Sequence, residues 1–298
     1  MKKIAFTLLV LFITIGMAAQ GQTEEKLPLR VGMMSAVDIV PFYVAEQNGY
    51  FEEEGVEVEL IQFSNGQTRQ TALQSGAVDG SMTDIISLIT SNNNGFILKG
   101  TVSTDGVFPL LSRVNLDTTD HLASGVMEVS VTNFLLDAYL SPTHTMSKIY
   151  INDIPTRLEA LVADKIDVGI FPEPFASIGA LRGVEKIVFD EDISESVDII
   201  AFTQKAISEK REQIMAFHRA YEKAIIALEQ GQVDPQEVLF SSIENLPLAI
   251  KDTIGFPSYK MPQLPSEKFV QELIAYTETL TRQKATVTYS SLIDESFI

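Results

Sequence analysis

The 298-residue sequence predicts an α/β fold of two lobes, each a mostly parallel sheet flanked by helices, joined by two hinge strands. Three observations carry the prediction. One pattern occurs twice: a helix with an Ala-Leu pair, a short turn, an Asp, then a short apolar strand. The first copy runs from Ala72-Leu73 through Gly76 and Asp79 to Met82-Thr83-Asp84. The second runs from Ala160-Leu161 through Asp167 to Phe171-Pro172-Glu173-Pro174. Strand and helix patterns alternate over most of the chain, as parallel sheets require. Finally, two β-branched or apolar segments, near 107–114 and 197–203, are placed to cross between the lobes.

The elements follow in order. Leu29–Met33 reads as a strand, and Pro41 opens a helix that Gly49 ends. Val56–Leu60 alternates with period two, so it is a strand with one exposed face. A helix over 67–74, a strand over 78–83 and a helix over 84–92 lead to strands over 96–102 and 107–112. The second lobe starts near Arg113, with strands expected over 126–130, 148–151, 168–171 and 186–189. Its helices are expected over 132–140, 156–163 and 174–182. Val197–Thr203 returns to the first lobe, and Ile207–Gln230 carries the apolar spacing of one helix face. The boundaries are thus 1–21 for a signal peptide, 22–112 with 198–298 for lobe 1, and 113–197 for lobe 2.

Met1-Lys2-Lys3, an apolar run from Ile4 to Met17 and small residues at 18–21 form a secretory signal pattern, too short to cross a bilayer. The chain contains no cysteine, so neither a disulfide nor a lipidated cysteine anchor is available. An exported, periplasmic, monomeric protein is expected. The formal charge is −18, and loss of Lys2 and Lys3 leaves 20 basic against 40 acidic residues, a net −20. That balance argues against nucleic acid, whose phosphates it would repel.

Further along, the sequence resembles the exported solute-binding proteins of ABC importers, in the nitrate/sulfonate/taurine and thiamine-precursor-like group. The residues that carry the likeness are Pro41-Phe42-Tyr43-Val44-Ala45 with Gly49-Tyr50-Phe51, Glu54-Gly55-Val56-Glu57-Val58, and Val78-Asp79-Gly80. Arg157-Leu158-Glu159-Ala160-Leu161, Pro172-Glu173-Pro174-Phe175 and the helix around Ala216–Tyr221 complete it. The resemblance implies a two-lobed periplasmic-binding-protein fold, type II-like, that closes on a small solute and delivers it to a membrane permease. A catalytic branch that looks similar, the fungal pyrimidine-precursor synthases, carries a Cys-rich motif that this chain lacks.

Little else suggests catalysis. His121, His144 and His218 are scattered, and neither a Gly-x-Ser-x-Gly elbow nor a phosphate-cradling loop occurs. Paired carboxylates are too numerous to exclude a secreted hydrolase by spacing alone. No metal or cofactor is expected. Ligand contacts are expected on loops at strand C-termini and helix N-termini, where open α/β sheets bind ligands. The candidates in the first lobe are Asp38, Phe42, Ser64, Asn65, Gly66, Thr83 and Asp84. Those in the second are Ser130, Thr132, Asn133, Arg157 and Glu173. Asp38 and Asp84 would serve equally as helix caps, and Ser64-Asn65-Gly66 as an ordinary turn with a cap. Arg157 is the one expected basic contact, able to clamp a carboxylate or sulfonate, whereas Arg69 is expected on a helix surface. Three carboxylates against one arginine favour a neutral or cationic nitrogen-containing ligand, such as a pyrimidine-like vitamin precursor. Nitrate- or sulfonate-type anions and a ligand-sensor role remain alternatives.

Overall fold

The structure, a computed structural model, describes residues 27–189 and 195–298. The expected signal peptide lies outside the described residues. The first half contains β1 (Leu29–Met34), α1 (Val40–Gln47), α2 (Tyr50–Glu53), β2 (Val58–Phe63), α3 (Gly66–Ser75), β3 (Gly80–Asp84), α4 (Ile85–Asn93) and β4 (Leu98–Thr104). The chain then builds β5 (Leu110–Ser112), β6 (His121–Val126), α5 (Val131–Leu140), β7 (Thr145–Tyr150), α6 (Ile154–Val162), β8 (Val168–Ile170), α7 (Phe175–Leu181) and β9 (Glu185–Ile187). It returns through β10 (Asp198–Thr203) to α8 (Gln204–Glu209), α9 (Arg211–Glu229), α10 (Pro235–Ser242), α11 (Glu267–Thr281) and α12 (Tyr289–Leu292). None of the described helices is long and apolar enough to cross a membrane.

Among the described residues two five-stranded sheets form, ordered β2-β1-β3-β10-β4 and β7-β6-β8-β5-β9. Each contains one reversed strand, β10 in the first and β5 in the second. In both sheets the reversed strand is the one that has just crossed over from the other. β5 therefore belongs to the second sheet, so the expected boundary at 112/113 falls after this strand instead of before it. The strand expected over 126–130 is displaced as well: β6 ends at Val126, and 127–130 form the loop into α5. The hydroxyl of Ser130 caps that helix, accepting from the Thr132 amide at 3.2 Å. The long C-terminal helix is broken at Lys210 into α8 and α9.

The duplicated pattern has a structural cause. The Asp79 carboxylate accepts from the Arg30 amide on β1 at 2.8 Å, and the Asp167 carboxylate accepts from the Ala123 amide on β6 at 2.7 Å. Each aspartate thus registers its strand against the neighbour at the N-terminal end. The C-terminal ends of the same strands are left for the crevice. Gly76 ends α3 at φ 73°, a left-handed conformation that favours glycine.

One face of the first sheet is covered by α1 and α9, where Phe42 stacks on Phe217 and Tyr221 with ring centroids 5.3 and 4.7 Å apart. The other face packs on α4 and α11, and this core continues into the second lobe through Phe134 on α5, which meets Phe269 and Tyr276 edge-on. A smaller core lies under α6 and α7, around Leu158, Leu161 and Phe171.

Candidate functional site

A cavity of about 80 Å³ lies between the two sheets, lined from both sides. The first lobe contributes Met34, Gly66, Arg69, Met82, Thr83, Asp84 and Asp198. The second contributes Met127, Ser130, Thr132, Asn152, Ile154 and Pro172. Phe108, on the crossing segment, closes one side. The location follows from topology, because β1, β3, β6 and β8 end here and α3, α4, α5 and α6 begin here. Asn65, Asp84, Ser130 and Asp153 cap those four helices, so their free N-terminal amides converge on the space.

Strand register concentrates charge on one wall. β10 runs against β3 and β4, so its first residue lies beside their last ones. Asp198 pairs with Asp84 on β3 and with Thr104 on β4. Like charges directly opposite each other in a sheet are destabilising. The Asp84 carboxylate is well bonded, accepting from the Ser87 amide at 2.8 Å and the Ser87 hydroxyl at 2.7 Å. The Val131 amide, at the start of α5, also faces it. Asp38 lies behind the cavity, with Oδ2 accepting from the Thr104 hydroxyl at 2.9 Å and Oδ1 unpartnered. Asp198 is 8% exposed, and no donor among the described residues reaches its carboxylate.

Arg69 sits among these acids. It donates from Nη2 to the Thr83 hydroxyl at 2.9 Å, while its buried Nε has no partner. Burial pushes the Asp38 carboxyl up to about 6, opposed chiefly by the Thr104 hydrogen bond. Burial raises Asp198 well above the usual carboxylate range, and the charges of Asp38 and Asp84 add to the effect. Asp84 is raised by burial too, with its Ser87 bonds and Arg69 opposing. Burial lowers Arg69, against the attraction of Asp84, Asp198 and Asp38.

Of the twelve residues singled out in the sequence, Gly66, Thr83, Asp84, Ser130 and Thr132 line the cavity. Asn65 lies at its mouth, in a groove shared with Gln67, Glu128 and Asp153. Asp38 is one layer behind, and Ser64 is exposed. Four expectations are corrected. Phe42 is fully buried in the aromatic core under α9. Asn133 spends its amide within the second lobe, donating to the Glu128 carbonyl and accepting from Lys148. Arg157 does not line the cavity: it is fully buried, donates from Nη1 to the Ile151 carbonyl at 2.7 Å and lies 5.1 Å from the Phe171 ring centroid. Glu173 is also fully buried, and its carboxylate is taken by the Ser177 amide and hydroxyl, Lys186 Nζ at 2.8 Å and the Gly255 amide.

The expected positions of the two arginines are thus reversed. Arg69, one turn into a capped helix, faces the crevice; its spacing from Asn65 was the available signal. Asp198 was missed because its proximity to Asp84 depends on pairing between strands far apart in sequence. Met34, Met82 and Met127 were missed for a similar reason, since apolar wall and apolar core look alike in sequence.

The family described as NMT1/THI5 like matches residues 36–104, the stretch that supplies Arg69, Thr83 and Asp84. No curated protein sequence matches the chain. Among solved structures, the ligand-binding component of an ABC-type import system from Staphylococcus aureus, with zinc bound, is similar at TM-score 0.78 and 16% identity, covering 91% of this chain and 98% of that one. The alkanesulfonate-binding protein SsuA from Xanthomonas axonopodis pv. citri, bound to MOPS, gives TM-score 0.76 at 15% identity, covering 91% and 99%. A Candida albicans protein described as exhibiting the generic periplasmic binding protein structural fold gives 0.67 at 16% identity, covering 91% and 97%. Together with the paired five-stranded sheets, these likenesses show that the chain has the periplasmic-binding-protein fold.

Proposed function

We propose that the protein is the exported solute-binding component of an ABC importer, capturing a small molecule between its lobes and passing it, unreacted, to a membrane permease. The observation that supports this best is the cavity itself, built equally from the strand and helix ends of both sheets. A ligand there would bridge the lobes and favour their closed arrangement. The favoured ligand is a neutral or cationic nitrogen compound of modest size, a pyrimidine-like vitamin precursor being one such. Asp84 and Asp198 offer acceptors for its donors, and Met34, Met82 and Met127 offer polarisable walls for a flat ring.

One observation favours an anion instead. Arg69 has an unused Nε, and the amides at the start of α5 lie across the cavity from it. The SsuA neighbour binds a sulfonate-type ligand. Against this, an incoming anion would meet two largely buried aspartates. A thermal-shift screen of pyrimidines, amines, sulfonates and nitrate tests the proposal. A ligand at a hundredfold excess over Kd stabilises by ~2.7 kcal/mol, which a melting curve resolves. Steady product formation by the pure protein would instead indicate an enzyme.

A further inference from the structure

We propose that Asp198 is the residue that selects the ligand, receiving a cationic nitrogen of a compact solute while Arg69 neutralises the neighbouring carboxylates. The inference rests on the solute-binding reading and deepens it. Three features of the crevice lead to it.

The first is the cross-strand pair. Asp84 and Asp198 are register partners at the end of the sheet, an arrangement that costs stability unless a cation lies near both. The second is the unequal bonding of the acids. Asp84 has Ser87 and the α5 amide, Asp38 has Thr104, and the Asp198 carboxylate has no donor among the described residues although it is nine-tenths buried and lines the cavity. Its oxygens are not among the fully enclosed unpartnered atoms of the described residues, so they open on the cavity, where a donor on a bound solute can reach them. The third is charge balance. Among the described residues Arg69 is the one basic side chain lining the cavity, and it faces Asp38, Asp84 and Asp198. The three carboxylates exceed it by two charges, and a cationic ligand offsets one of them.

The partner is better matched by an organic cation than by a metal ion. Among the described residues no group of three or more His, Cys, Asp or Glu side chains is placed to hold a metal. The remaining walls, Met34, Met82, Met127 and Phe108, suit an apolar or aromatic body attached to the nitrogen. The described residues of the second lobe bring hydroxyls, an amide and apolar side chains to the lining.

A proton linkage follows. The groups facing Asp198 are Asp84 from β3, Arg69 from α3 and Asp38 from the turn before α1. Behind Asp38 lie Asp105, Tyr221 and Tyr259. Burial raises both Asp38 and Asp198, and the charges of Asp38 and Asp84 raise Asp198 further. A cationic nitrogen beside Asp198 favours the ionised carboxylate, so binding lowers the proton affinity of that group. Affinity for such a ligand therefore increases as the pH rises.

The test uses matched primary amines, alcohols and sulfonates on the same small aliphatic and aromatic skeletons, screened by thermal shift at pH 7.5. The best stabiliser is then titrated calorimetrically in two buffers of different ionisation enthalpy. The expected result is an amine, with heats that differ between buffers in the direction of proton release. Asp198→Asn should weaken its binding about 10- to 150-fold, the usual worth of a hydrogen bond to a charged group. The same variant should melt, unliganded, at the wild-type temperature or above, because a buried unpartnered charge has been removed. Asp198→Ser serves as a second variant and should lose the same binding. Stabilisation only by sulfonates or alcohols, with binding indifferent to Asp198→Asn, would overturn the Asp198 assignment and leave the solute-binding reading standing. Absence of stabilisation in all three arms would contradict both.

Discussion

The two lobes meet the cavity with different chemistry. The first brings Arg69, Asp84 and Asp198, with Asp38 behind them, while the second brings hydroxyls, an amide and apolar side chains. The contrast extends to how each lobe treats its own buried acids. Glu173, in the second lobe, has donors on both carboxylate oxygens and an ion pair with Lys186. Its backbone also spans the crevice, donating to the Val107 carbonyl and accepting from the Val37 amide. Asp198, in the first lobe, has no donor on its carboxylate among the described residues. A satisfied buried carboxylate holds a structure together, whereas an unsatisfied one lowers stability unless a ligand completes it. The difference separates strut from binding group where sequence gives both the same appearance.

The comparison can be broken at its strut end first. Glu173→Ala leaves Lys186 without its buried partner and should cost about 3–5 kcal/mol of folding stability. For a chain of this size that is a drop of roughly 10 °C in melting temperature. Ligand affinity per folded molecule should be retained, measured by calorimetry below the new midpoint. A large loss of affinity at unchanged stability would instead return Glu173 to the binding site.

A pH experiment sharpens the acid end. Asp38 is pushed from an ordinary 3.8 up to about 6, so its contribution to stability is present below the unfolded value and lost as pH rises through 6. Asp38→Asn removes that loss. Relative to wild type the variant should gain stability between pH 4 and 6, up to about 3 kcal/mol, and hold the gain above. His218, pushed down to about 4 by burial, drives stability the other way over part of this range. It does so in both proteins and cancels in the difference. Chemical denaturation at half-unit pH steps gives the curve; a flat difference would contradict the buried-acid description.

Two smaller effects complete the series. Ser130→Ala removes the cap of α5 and should cost about 0.5–2 kcal/mol of stability, with a further loss of affinity if the freed amides touch ligand. Asp84→Asn keeps a capping group, so the unliganded melting temperature should hardly move. Because Ser87 and the α5 amide already occupy its oxygens, affinity should fall by less than about 1.5 kcal/mol, clearly below the effect at Asp198. Equal losses at the two aspartates would mean that they share the ligand evenly.

Much of the fold was legible because its signals are local. Pro41 and Gly49 bracket α1, Asn65 and Gly76 bracket α3, and the Asp79 and Asp167 repeats mark corresponding strands in the two lobes. The strand expected at 126–130 failed because only Val126 and Val129 in it are β-branched and it ends on Ser130, whose hydroxyl caps α5. Site residues at helix starts, such as Asp84, Ser130 and Thr132, were legible for the same local reason. Arg69 and Asp198 were not. Whether an arginine on a polar helix faces water or a crevice depends on what packs against it, and Asp198 meets Asp84 only through long-range antiparallel pairing.

The central claim is that a small cationic solute completes the acidic wall between the lobes. Native mass spectrometry of gently purified protein tests it most directly, with the bound species released and identified by accurate mass and fragmentation. The account predicts one equivalent of a small nitrogen base per chain, absent from Asp198→Asn prepared in parallel. A sulfonate, nitrate or other anion in that place, retained by the variant, would contradict it.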